Sequence, residues 1–156
     1  MCKNNVKNIA IFFAICLVEI VLLMIEKKEI NISGFENIKN TTVCADRDMI
    51  YQVVYNLIDN AVKFTQQGGE IEVSAERKIG GSVIVSIKNS GEGIDSEEIS
   101  RIFERFYKVD QSRSTDVKST GLGLYLIKSI VELHNGTVTV ESKVDNFTRF
   151  TVKLPR

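Results

Sequence analysis

Asp48-Met49-Ile50-Tyr51-Gln52-Val53-Val54-Tyr55-Asn56-Leu57-Ile58-Asp59-Asn60-Ala61-Val62-Lys63-Phe64-Thr65 is the stretch around which the rest of the chain can be arranged. Its apolar residues recur at helical spacing. At about 100° per residue, Ile50, Val53, Val54, Leu57, Ile58 and Ala61 fall within one arc and predict a buried stripe. Asn56, Asn60 and Lys63 fall together on the neighbouring arc, and Phe64 lies near the boundary between the two. Two carboxamides one turn apart, followed by an ammonium, are an unusual border for such a stripe. They suit either a solvated face with ordinary i,i+4 partners or the wall of a polar site. The helix alone leaves both open.

Working outward, Asp46 is an N-cap candidate, and Gln66-Gln67-Gly68-Gly69 ends the helix with glycines in a usual C-terminal place. Upstream, Lys28 to Ser33 alternates with a period of two and Thr42 to Ala45 is a second short strand, with a polar turn between them. Downstream, Glu70 to Arg77 and Ser82 to Asn89 alternate as two strands joined at Gly80-Gly81. Ser96 to Phe103 reads as a short helix with a Ser-x-x-Glu-like start. Glu104 to Ser119 has little apolar periodicity and reads as a mobile loop. Leu122 to Leu133 is a second long helix stopped by Asn135-Gly136. Thr137 to Ser142 and Phe147 to Leu154 form a last hairpin. Neighbouring strands joined by hairpins, with helices between the pairs, predict an α/β two-layer sandwich. Helices cover one face of a mixed, mostly antiparallel sheet. No strand runs through GxxxxGK[ST] or GxGxxG into a helix, so P-loop and Rossmann readings are weak.

Composition narrows the function classes. The chain has 156 residues, 44% of them hydrophobic, enough for one domain with a real core. One proline and 10 glycines exclude collagen-like and proline-rich architectures. Twenty basic and twenty acidic side chains sum to zero, which argues against nucleic acid as a partner. Three scattered cysteines, Cys2, Cys16 and Cys44, give no support to a disulfide framework or zinc ribbon and fit a reducing, cytoplasmic setting. A single histidine, His134, excludes a multi-histidine metal site.

Residues 1–27 differ from the rest. Ile9 to Ile25 is apolar except for Glu19, between lysines on both sides. At seventeen residues it stands at the lower bound for a membrane span and carries a carboxylate in its middle. A secretory signal would need a small-residue cleavage site, and Met24-Ile25-Glu26-Lys27-Lys28 is a poor one. The third reading is a helix that packs against another helix, possible also in a second chain. Residues 1–27 are therefore expected to be an apolar helix, either a membrane anchor or a packing helix, ahead of a domain over 28–156.

Two glycine motifs complete the pattern. Asn89-Ser90-Gly91-Glu92-Gly93-Ile94-Asp95 follows a strand, and its glycines permit positive φ and close approach by a flat ligand. Ser119-Thr120-Gly121-Leu122-Gly123-Leu124 opens a helix, where unpaired N–H groups and the positive dipole end favour an anion. Each alone is most simply a turn or a softened helix start. Together with the Asn56/Asn60/Lys63 face, in this order, they are hard to obtain by chance.

On these residues the chain resembles the ATP-binding domain of sensor histidine kinases. Asn56 to Thr65 resembles their N box and Asn89-Ser90-Gly91-Glu92-Gly93-Ile94 their G1 box. Ile102-Phe103-Glu104-Arg105-Phe106-Tyr107-Lys108 resembles their F box, and Thr120-Gly121-Leu122-Gly123-Leu124 their G2 box. The resemblance runs from about Lys28 to Leu154 and implies the Bergerat ATP-binding fold shared with gyrase and mismatch-repair ATPases. It implies a nucleotide site of Asn56, Asn60, Lys63, Phe64, Asn89, Gly91, Gly93, Ile94, Phe106, Tyr107, Lys108, Thr120, Gly121, Leu122, Gly123 and Leu124. Asn60 would hold the Mg²⁺ that bridges the phosphates of ATP, and Asn56 would support that network. Lys63 would offset phosphate charge and Phe64 would line the pocket. Gly91 and Gly93 would wrap the adenine side, and Gly121 and Gly123 would hold phosphates. Residues 104–119 would be the ATP lid, anchored at its start by Phe103, Phe106 and Tyr107.

Two positions depart from the usual boxes. Asn89 stands where an Asp usually accepts a bond from the adenine amino group, and Ser119 replaces the first glycine of the G2 box. An amide oxygen still accepts that bond, without the charge. The phosphoacceptor histidine of such kinases has no counterpart, because His134 follows the G2 helix. Val18 to Glu29 resembles the tail of the dimerisation helix, so the chain resembles a C-terminal kinase fragment or a truncated product. The implied function is donation of the γ-phosphoryl group of Mg-ATP to a histidine in another chain, with a response regulator further along the pathway. The alternatives are an ATPase or serine kinase of the same superfamily and a non-catalytic interaction module. Gyrase-like ATPases place a Glu general base where Asn56 stands, so hydrolysis should be slow.

Overall fold

The computed structural model describes residues 5–6, 27–38, 41–108 and 121–155. The apolar run 9–25, and with it the choice among anchor, signal and packing helix, lies outside the described residues. So do Ser119, Thr120 and most of the expected lid. Lys27 and Lys28 are helical, and Glu29 turns the chain with φ 52°. Among the described residues no helix is long and apolar enough to cross a membrane.

The strands are β1 (Asn5–Val6), β2 (Asn31–Ser33), β3 (Val43–Cys44), β4 (Glu70–Arg77), β5 (Val83–Ser90), β6 (Thr137–Lys143) and β7 (Phe147–Leu154). The helices are α1 (Arg47–Phe64), α2 (Ser96–Ile99) and α3 (Gly123–Leu133). Five strands form one sheet in the order β2-β4-β5-β7-β6. β2 runs parallel to β4 and every other pairing is antiparallel, so the sheet is mixed and mostly antiparallel as expected. β1 and β3 pair separately. The period-two pattern holds closely: Ile71, Val73, Ala75, Val83, Val85, Ile87, Phe150, Val152 and Leu154 are buried on the inner face. The alternate residues, such as Glu72, Glu76 and Lys153, lie on the open face. There Arg149 pairs across to Glu141 at 3.0 Å.

α1 lies on the inner face against β5 and α3. Asp46 caps it, its Oδ1 accepting from Asp48 N and Met49 N at 3.0 Å each. The six predicted stripe residues are buried, and so is Val62. Two elements cover α1, so its apolar arc is wider than one stripe. Each fully buried Ile, Val or Leu contributes roughly 1.5–3 kcal/mol relative to exposure. Gly68 and Gly69 do not end the helix. Thr65 does, with extended backbone, its N–H and Oγ1 both donating to Ala61 O at 3.0 and 2.6 Å. α2 is shorter than the eight residues expected, and its cap is Asp95, whose Oδ1 accepts from Glu97 N at 3.1 Å, rather than Ser96. Cys44 is disulfide-bonded, against the expectation from scattered cysteines.

α3 ends at His134, whose ring ties it to the start of α1. Nδ1 lies 2.8 Å from Ile130 O, and Nε2 accepts from Asp46 N at 3.0 Å. That acceptor role assigns the proton to Nδ1.

Candidate functional site

The inner face of the sheet is apolar until its end, where β5, β7 and β6 bring Asn89, Thr148 and Ser142 into one polar row. Asn89 is 5% exposed. Its Nδ2 donates to Ser90 O at 3.0 Å, and no described residue donates to its Oδ1. Ser142 Oγ lies 2.9 Å from Thr148 Oγ1 and accepts from Ile94 N at 2.8 Å, which fixes the Gly91–Ile94 loop to β6 and β7. Ile94 itself packs against the core.

The glycines of this loop are required by contact. A Cβ on Gly91 (φ 151°) would lie 2.4 Å from Phe64 O, so the loop rests on the end of α1. A Cβ on Gly93 (φ 72°) would lie 2.3 Å from Lys143 O. The loop is further tied by Gly91 N to Asn146 O at 3.1 Å and Asp145 N to Glu92 O at 2.7 Å.

The second glycine motif meets α1 at its other polar position. A Cβ on Gly123 would lie 3.4 Å from Asn56 Oδ1. The Asn56 Nδ2 donates to Gln52 O at 2.8 Å, which turns its oxygen toward the start of α3. No side chain caps α3, because its N-cap residue is Leu122. The first turn of α3 is thus an open row of N–H donors at the positive dipole end, with Asn56 beside it. Gly121 (φ 68°) closes on the F box: Phe106 N donates to Gly121 O at 3.1 Å, and a Cβ there would lie 2.8 Å from Phe106 C. The two ends of the segment between Phe106 and Gly121 therefore meet at one point.

The other predicted residues fall as follows. Asn60 is half-buried and nothing among the described residues bonds its carboxamide. Lys63 is held by Asp59 on the same helix at 2.5 Å. Phe64 is 54% exposed and Phe106 62% exposed, with the Arg105 guanidinium 5.0 Å from the Phe106 ring. Phe103 packs edge-on to Phe150 with centroids 6.3 Å apart. Tyr107 packs inward, its hydroxyl donating to Glu98, with Arg101 4.3 Å over its ring. The bond to Glu98 raises the Tyr107 pKa from its ordinary value of 10.0. Lys108 is exposed, Leu122 and Leu124 are half-buried, and Thr120 lies outside the described residues.

An open cleft of about 390 Å³ lies on the Gly91 side, between the turn after α1 and the β6–β7 turn. It is lined by Ser90, Gly91 and Glu92 but by none of Asn56, Asn60, Lys63 or Asn89, so it is not where the predicted motifs converge. Among the described residues no group of three or more His, Cys, Asp or Glu could hold an ion. A cation at Asn60 would draw on one carboxamide oxygen and take its remaining ligands from phosphate and water, which suits Mg²⁺.

Sequence reasoning missed Lys28. Its Nζ donates to Val62 O, Lys63 O and Thr65 O at 2.9, 3.0 and 3.0 Å. Partial burial lowers its pKa. The only signal was indirect: α1 ends without a glycine at its C-cap, so its last carbonyls need donors from elsewhere.

Residues 45–156 match the sequence profile of the family described as histidine kinase-, DNA gyrase B-, and HSP90-like ATPase. Sensor protein SrrB of Staphylococcus aureus is 40% identical over 111 residues, which cover 71% of this chain. The matched segment spans only 19% of the length of that relative. The catalytic domain of histidine kinase ThkA superposes with a TM-score of 0.79 at 27% identity, over 97% of this chain and 94% of its own. The mycobacterial sensor histidine kinase MprB shares the fold, with a TM-score of 0.80 at 23% identity over 97% of both chains.

Proposed function

Since the chain belongs to the family of histidine kinase-, DNA gyrase B-, and HSP90-like ATPases, we propose that residues 28–156 bind Mg-ATP and donate its γ-phosphoryl group to a histidine carried by another chain. In this reading it is the catalytic half of a sensor kinase in a two-component pathway. Its partners are a histidine-bearing dimerisation domain and, beyond that, a response regulator. The observation that carries the reading is the contact of Asn56 with the start of α3 at Gly123. It sets a carboxamide of the N-box helix beside an uncapped helix N-terminus, which is an anion site with a polar wall.

The residues then divide the work. The first-turn N–H groups of α3 donate to phosphate oxygens, and Gly121 and Gly123 let the backbone come close. Asn89 Oδ1 accepts from the adenine amino group at the buried end of the sheet. Lys63 leaves Asp59 to offset phosphate charge, and Phe64 borders the base. Asn60 holds Mg²⁺, which when bound neutralises the phosphate oxygens and orients them. Phe106 and Gly121, joined at their backbones, hold the F-box end beside the start of α3. An imidazole nitrogen of the partner attacks the γ-phosphorus in line, the bond to the β,γ-bridging oxygen breaks, and ADP leaves with that electron pair. Rate comes mainly from positioning and charge stabilisation.

His134 is not a donor target in this reading, because both ring nitrogens are engaged. The test is transfer of ³²P from γ-labelled ATP to a separately supplied histidine-bearing dimerisation domain. Acid-labile, alkali-stable label on that domain is the expected result. Nucleotide binding without any transfer would leave a non-catalytic interaction module.

A further inference from the structure

Lys28 lies outside every motif that carries the functional reading, yet it satisfies the end of the helix that bears one of them, the Asn56–Thr65 stretch. The last carbonyls of a helix have no intrahelical donors. In α1, Ala61 O takes both Thr65 groups, and Phe64 O abuts Gly91. Val62 O, Lys63 O and Thr65 O all go to Lys28. An ammonium has three donor protons, one for each carbonyl, and its charge is favourable at a helix C-terminus. Partial burial of Nζ, which lowers its pKa, is consistent with a fixed rather than a trailing side chain.

The backbone around Lys28 is fastened at the same place. Gly68 N donates to Lys28 O at 2.8 Å and Asn31 N to Gly69 O at 2.9 Å, where β2 begins its parallel pairing with β4. Glu70 N donates to Ser90 Oγ at 2.8 Å, which joins this turn to the end of β5 just before Gly91. A shift of residues 27–31 is therefore passed to Lys63, Phe64 and the Gly91 loop together.

We propose that Lys28 is a positioning residue for the nucleotide site, strapping the Asn60–Phe64 end of α1 and the loop resting on it to residues 27–31. The proposal rests on the nucleotide reading above. It makes ATP affinity respond to how the segment preceding β2 is held.

The experiment is calorimetric titration of the full chain with Mg²⁺ and a non-hydrolysable ATP analogue, well below the unfolding midpoint of each variant. The Kd should rise about ten-fold in Lys28→Met, and Lys28→Arg, which keeps charge and donors, should stay within about three-fold of wild type. A lowered midpoint with unchanged Kd in Lys28→Met would overturn the proposal, since Lys28 would then be a brace and nothing more. Lys28→Gln replaces Lys28→Met if the latter does not fold. Failure of wild type itself to bind would defeat the nucleotide reading instead. Amide exchange at Gly68, Gly69 and Gly91 of the ligand-free chain then judges the strap alone. Faster exchange in Lys28→Met upholds the strap, and unchanged exchange refutes it.

Discussion

Gly91 and Asn89 sit two residues apart and are constrained in opposite ways. Gly91 must lack a side chain, because a Cβ would strike Phe64 O at 2.4 Å in a backbone conformation with φ 151°. Gly91→Ala should therefore destabilise the fold by about 1–3 kcal/mol, measured by denaturant unfolding, and weaken nucleotide binding with it. Asn89 is buried but its Oδ1 takes no bond from a described residue. Asn89→Ala should lose affinity for ATP far more than for inorganic triphosphate, compared by titration. Equal losses would place the adenine elsewhere. At this scale the glycine motifs were legible in part: Gly91, Gly93 and Gly121 have positive φ and a backbone contact only glycine allows, whereas a Cβ on Gly123 would meet only the side chain of Asn56 at 3.4 Å. Lys28 was not legible, because its partners lie some thirty-five residues away and no local pattern points to them.

Among the elements, the strands were the most readable. In β4, β5 and β7 one face is buried and the other open, which writes a strict period of two into the sequence. Helix ends were read less well. α1 stops at Thr65 because its hydroxyl bonds back to Ala61 O, not because glycines follow. α2 is capped by the side chain of Asp95, one residue before the serine that resembled a cap. Two elements carry predictions of their own. His134 joins the end of α3 to the N-cap of α1, so His134→Ala should cost about 1–2 kcal/mol in unfolding free energy. Tyr107 holds the turn after α2 by donating to Glu98, and its pKa is raised in the folded chain. A raised folded pKa means that its contribution is fully present below pH 10.0 and is lost as pH rises through the folded value. Tyr107→Phe should remove that alkaline loss from a pH series of unfolding midpoints.

For the whole molecule, the two-layer sandwich followed from element order, and four motifs in sequence marked the candidate site. The fold brings them together through three touches: Phe64 with Gly91, Asn56 with Gly123, and Phe106 with Gly121. Asn56 is an amide and cannot take a proton from water, so the account predicts negligible steady-state phosphate release by the chain alone, checked with a coupled assay. The central claim is that this arrangement binds Mg-ATP. Calorimetric titration with a non-hydrolysable ATP analogue, with and without Mg²⁺ and beside Asn60→Ala, tests it most directly. The account predicts metal-dependent binding that Asn60→Ala abolishes. No binding by the wild-type chain, or binding indifferent to both Mg²⁺ and Asn60, would contradict it.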